Sequence, residues 1–135
     1  MARLTWSPAM GVNVKEIDDQ HKRLVDLINT LDEAMQSGRG RDVLGSIIAE
    51  LWEYAEVHFA TEEDYFTRFG YENAAAHNQE HADFLAAVGK FKAEFDAHRL
   101  GLSVQVMEFL SDWLKTHTTG SDKKYSACFN AHGLY

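Results

Sequence analysis

The sequence predicts an all-α fold: an antiparallel up-down four-helix bundle with a short C-terminal helix. Three observations carry this. Apolar residues recur at helical spacing in four long segments, with no strand-like alternation. The turn signals between those segments are brief, SGRGR at 37–41, GYEN at 70–73 and HRLGLS at 98–103. Pro8 is the only proline, so no imino acid interrupts a helix after it. Short connections make consecutive helices antiparallel neighbours.

The first helix, expected over about 19–37, repeats His21, Leu24, Ile28, Leu31 and Met35, with Asp18 or Asp19 as N-cap and Ser37-Gly38 as its stop. The second, over about 41–69, carries Leu44, Ile48, Leu51, Ala55, His58, Glu62, Tyr65 and Phe69 on one stripe and ends at Gly70. The third, over about 74–97, opens at Asn73 and presents His77, His81, Phe84, Val88, Phe91 and Phe95. The fourth, over about 103–118, presents Val106, Leu110, Trp113 and His117, and a short helix near 122–129 caps one end. There is no internal repeat or low-complexity tract.

With 135 residues, 45% of them apolar and 25% charged, the chain suits one compact domain over 1–135. MARLTWSPAM lacks the apolar core of a signal peptide, and no run approaches the roughly 18 apolar residues of a membrane span. A cytoplasmic protein without an integral membrane segment is expected. Cys128 is the single cysteine, which excludes an intrachain disulfide and a thiolate-bound zinc or iron–sulfur cluster. Any metal must therefore use imidazole and carboxylate. A net charge of −8, from 21 acids against 13 bases, opposes binding to nucleic acid or an anionic membrane surface.

Each otherwise apolar stripe contains histidine: His21 in the first helix, His58 with Glu62 in the second, His77 with His81 in the third, and His117 followed by Asp122 in the fourth. Residues four apart on a helix lie about 40° apart in azimuth and about 6 Å apart along the axis, so His58 and Glu62 converge, as do His77 and His81. In an up-down bundle the start of the first and third helices and the end of the second and fourth lie together. All these groups therefore share one half of the interior. As ordinary core residues they would each cost several kcal/mol for burial without a partner. A metal centre supplies the partner.

HNQEH at 77–81 also reads as H-x-x-E-H, the pattern of an inverted zinc peptidase. Against that, Glu80 is about 100° of helix rotation from His81 and is expected to face solvent. A bundle of this size also offers little room for an extended peptide beside an open metal position. Seven ligands exceed what one tetrahedral zinc can use, whereas two octahedral ions sharing carboxylates and a solvent-derived oxygen can use them all. Imidazole with carboxylate suits iron or manganese, and a di-iron centre is the natural reading.

An N-terminal LTW, IDDQHKRL with His21, HFATEE with His58 and Glu62, HNQEH, and WLKTHTTGSDKKY with His117 and Asp122 together span nearly the whole chain. In this set the sequence resembles the hemerythrin family, in particular the single-domain bacteriohemerythrins. The resemblance implies one iron held by His77, His81 and His117 and a second by His21 and His58. Glu62 and Asp122 would bridge them together with an oxo or hydroxo group. The iron with two histidines is then one ligand short, and O2 would bind there.

Asp122 follows His117 by five residues, about 140° around an ideal helix, so the helix must loosen near Thr118, Thr119 and Gly120. The ligand balance favours reversible binding. Bundle di-iron oxygenases use four carboxylates and two histidines, and this imidazole-rich set makes oxidation beyond the ferric level less accessible. Two ferrous ions with two carboxylates and a hydroxide sum to about +1, as do two ferric ions with two carboxylates, an oxide and a hydroperoxide. The buried centre gains no charge on binding oxygen.

Resemblance and spacing together nominate Leu24, Phe59 and Trp113 as an apolar wall around the open position. Thr118 stands where an apolar residue is common in the family, and its hydroxyl is expected to wet the pocket and speed loss of bound oxygen. Each ligating histidine needs an acceptor for its other ring nitrogen, which the sequence does not identify. His98 and His132 are expected at the surface, Cys128 as a packed small residue, and Glu63 and Asp64 on a solvated face. The expected function is reversible O2 binding for storage, buffering or delivery, not catalysis, with O2 and an oxygen-consuming enzyme system as partners. The alternatives are a di-iron enzyme with oxidase, peroxidase or nitric-oxide chemistry, and an oxygen or redox sensor, the latter disfavoured by the lack of an attached output domain.

Overall fold

A computed structural model describes residues 5–7, 10–118 and 120–135. Leu4, Pro8 and Thr119 lie outside these, as does the side chain of Thr118. Helix α1 spans Lys15–Gln36, α2 Gly40–Phe69, α3 Ala74–Asp96 and α4 Leu102–Trp113, with a π turn at Leu114–Thr118, a 3-10 turn at Ser121–Tyr125 and α5 at Ser126–Ala131. No strand occurs among the described residues. α1 packs against α2 and α4, and α3 against α2 and α4, which closes an antiparallel four-helix bundle.

α1 begins four residues earlier than its apolar spacing suggests, and neither Asp18 nor Asp19 is its N-cap. Val14 occupies that position in an extended conformation without a side-chain cap. Val14 and Ile17 are fully buried and draw the first turn onto the bundle. Asp18 instead reaches back and accepts the N–H of Val12 at 2.7 Å. The other boundaries follow the turn residues. Gly38 and Gly70 adopt left-handed φ angles of 73° and 63°, which a β-carbon would disfavour, and Asn73 precedes α3.

The interior has three layers. A large apolar cluster runs from Leu24 to Leu31 on α1, Leu44 to Phe59 on α2, Phe84 and Val88 on α3, and Leu102 to Leu114 around α4. A smaller aromatic cluster of Val12, Val14, Ile17, Phe66, Tyr125 and Phe129 seals the opposite end. Between them lies a polar layer: His21, His58, Glu62, His77, His81, His117 and Asp122 are all buried.

The loosening expected between His117 and Asp122 begins earlier than Thr118. From Leu114 the helix widens to π geometry, which adds backbone length without leaving the bundle. A β-carbon on Gly120 would collide with the Thr116 carbonyl, so only glycine lets the chain fold this closely over its own last turn. The 3-10 turn that follows carries Asp122 inward, and Tyr125 and Phe129 then cap the end.

Candidate metal centre

All seven residues nominated from the sequence meet in the polar layer, in two overlapping groups: Glu62, His77, His81, His117 and Asp122, and His21, His58 and Asp122. In each group one ligand atom per residue lies within 4.8 Å of all the others. Every histidine turns Nε2 inward. Glu62 Oε1 lies 3.0 Å from His58 Nε2 and 3.2 Å from His81 Nε2. Asp122 Oδ2 lies 2.8 Å from His21 Nε2, while its Oδ1 lies 2.8 Å from His77 Nε2 and 3.0 Å from His117 Nε2. Each carboxylate thus touches histidines of both groups. His21 and His58 also approach each other, Nε2 to Nε2, at 3.0 Å.

Both oxygens of Glu62 and of Asp122, and Nε2 of His77, His81 and His117, are buried without a hydrogen bond despite these short distances. So many orphaned donor atoms aimed at one small volume fit a cation, for which nitrogen and carboxylate oxygen are suitable ligands. The electrostatics agree. Burial opposes ionisation of Glu62, but the imidazoles of His58, His77 and His81 outweigh it and hold its carboxyl well below the usual range. For Asp122, burial and the Glu62 charge push upward, yet His117, His21 and His77 bring it down to about 2. Burial lowers His58. His77 resists the same effect because Asp122 and Glu62 raise it to about 9. The two carboxylates are therefore anionic near neutrality and attract positive charge.

The outward nitrogens find acceptors that the sequence did not identify. His58 Nδ1 lies 2.6 Å from Gln20 Oε1, His81 Nδ1 2.9 Å from Glu63 Oε2, and His117 Nδ1 2.9 Å from Glu80 Oε1. Two expectations are refined here. Glu80 and Glu63 remain partly exposed, as the sequence suggests, but each also turns inward to a histidine, and Glu80 accepts from Ser121 Oγ as well. Both sit one residue from a site position on the same helix, and a long carboxylate side chain spans the remaining rotation.

Phe59 stacks on His81 and Trp113 on His117, each with ring centroids 3.9 Å apart. Leu24, one turn after His21, belongs to the large apolar cluster. Thr118 cannot be assigned to this wall, because its side chain lies outside the described residues. Two phenols that sequence reasoning missed also approach the site. Tyr54 stacks on His58 at 5.2 Å, and Tyr125 lies 5.6 Å from His77 with its buried hydroxyl unpaired. His98 is exposed, and exposed His132 stacks on Phe69 at 4.6 Å. Cys128 is half-buried near the Phe69 carbonyl.

Comparison with known proteins matches this layout. The model of the Hemerythrin HHE cation binding domain matches residues 12–128. A bacteriohemerythrin of Methylococcus capsulatus is 33% identical over 132 residues, covering 97% of this chain and all of the relative. One of Stenotrophomonas maltophilia is 33% identical over 132 residues, covering 98% of this chain and 85% of the relative. A solved structure of wild-type hemerythrin superposes with a TM-score of 0.84 at 33% identity, covering 94% of this chain and 98% of that one. No helix among the described residues is long and apolar enough to cross a membrane. A domain match over most of the sequence, relatives one-third identical end to end and a shared bundle agree with the histidine–carboxylate layer, and the chain belongs to the hemerythrin family.

Proposed function

We propose that the protein binds O2 reversibly at a non-haem di-iron centre and serves oxygen storage, buffering or delivery to an oxygen-consuming system in the cytoplasm. One iron would be held by His77, His81 and His117 and the other by His21 and His58. Glu62 and Asp122 would bridge them with an oxo or hydroxo group. The observation that carries this reading is that both buried carboxylates touch histidines of both groups, as bridging ligands must. The chemistry an iron pair held there would supply is a reversible two-electron exchange with O2.

The chain's own residues set the conditions for that. Five imidazoles against two carboxylates make an electron-poor donor set, which resists oxidation past the ferric level. Gln20, Glu63 and Glu80 accept the outward Nδ1–H of His58, His81 and His117, which fixes each tautomer with Nε2 free to ligate. Phe59 and Trp113 pack on His81 and His117 and, with Leu24, keep water from that side of the site.

The test is to load the protein with ferrous iron, expose it to O2 and then to argon, and follow the visible spectrum. A band that appears with O2 and fades under argon supports a carrier. Irreversible bleaching with release of hydrogen peroxide would instead favour the enzymatic reading.

A further inference from the structure

Tyr54 is a buried phenol whose hydroxyl has no hydrogen-bond partner. An unsatisfied buried hydroxyl costs about 1–3 kcal/mol. The Tyr54 hydroxyl finds no acceptor among the described residues. It precedes His58 by one turn of α2 and lies nearly parallel to that ring, 5.2 Å away with 13° between the planes. An ordinary phenol holds its proton up to about pH 10. The group is therefore a donor that keeps its proton.

Tyr54 also has an approach from outside. A cleft of about 270 Å³ between α1 and α2 ends on Tyr54 and His58, with Gln20 and Arg23 along its α1 wall.

We propose that Tyr54 donates a hydrogen bond to the exogenous ligand bound beside His21 and His58, a small molecule with an anionic acceptor atom such as azide or reduced dioxygen. This rests on the di-iron reading above. The pocket is then not purely apolar: in Tyr54 it contains a donor whose acceptor arrives with the ligand.

The probe is azide, titrated into the oxidised, iron-loaded protein and into its Tyr54→Phe variant. The variant should hold the same iron while its azide Kd rises about tenfold, the loss of one hydrogen bond to a charged acceptor. The deuterium-sensitive shift of the bound azide stretch should disappear with it. In the metal-free protein the variant's thermal midpoint should be unchanged or higher, because no partner is lost. An unchanged azide Kd and isotope shift at full iron loading overturns the role of Tyr54 and leaves the di-iron reading intact. A lowered metal-free midpoint also overturns it, since the hydroxyl would then have a partner within the protein. Failure of the unsubstituted protein to take up iron overturns both.

Discussion

The two halves of the bundle interior are built from the same four helices by opposite rules. In one half Leu31, Ile47, Leu51, Val106 and Leu110 pack with almost no exposure, and burial of apolar area holds them together at about 25 cal/mol per Å². In the other half the same stripes continue as His21, His58, Glu62, His77, His81 and His117. There the centre is a set of polar atoms within 4.8 Å of one another, enclosed by Phe59, Trp113, Phe66 and Tyr125. The apolar half needs nothing beyond the chain. The polar half is held in place by its neighbours and satisfied by what it binds. The bundle thus divides its labour along its length, with apolar layers supplying stability and the polar layer between them a preorganised site whose cost that stability offsets.

The hardest test of this division is Asp122→Ala. It removes the group shared by both ligand sets, so iron should fall from two ions per chain to less than one by metal analysis, while circular dichroism stays helical. Loss of helicity as well would mean that the polar half is needed for the fold itself. Leu31→Ala strikes the other half: a fully buried leucine typically costs about 2–5 kcal/mol when truncated. Chemical denaturation of the metal-free protein should show that loss with iron stoichiometry unchanged.

A gentler change is Glu80→Gln, which keeps shape and hydrogen bonding at His117 but removes the charge. Loss of such a supporting partner weakens metal affinity by about 10–100-fold; Glu80→Gln should fall near the lower end in chelator competition, with helicity unchanged by circular dichroism.

The smallest effect is a pH dependence confined to the polar half. His77 is raised from 6.5 to about 9 in the fold, and His117 is raised as well. Their contribution to metal-free stability is therefore complete below pH 6.5 and lost as the pH rises through about 9. His58 is lowered by burial and acts in the opposite sense below pH 6.5. Bound metal requires neutral imidazoles already. The thermal midpoint of the metal-free protein should thus fall between pH 6.5 and 9 and that of the iron-loaded protein should not; parallel curves would refute this.

Local pattern determined much of the protein. Helical spacing of apolar residues, punctuated by Gly38, Gly70 and Asn73, specifies four helices. Because residues four apart share a helix face, His58 with Glu62 and His77 with His81 declare themselves as pairs, and short loops place those pairs at one end. Tertiary structure decided what depends on reach across helices. The start of α1 moved to Lys15 because Val14 and Ile17 bury against Phe66, Tyr125 and Phe129, residues distant in sequence. Glu63 and Glu80 became acceptors for His81 and His117 because their flexible carboxylates bridge to facing helices, which a face assignment by rotation alone cannot register. Asp122 joined the histidines through a π turn and a glycine folded against the Thr116 carbonyl. Tyr54 lies off the stripe that spacing picks out; only packing shows that its hydroxyl lacks a partner beside His58. Periodicity fixes the direction of a side chain from its own helix, whereas the identity of the atom it meets is a property of the assembled bundle.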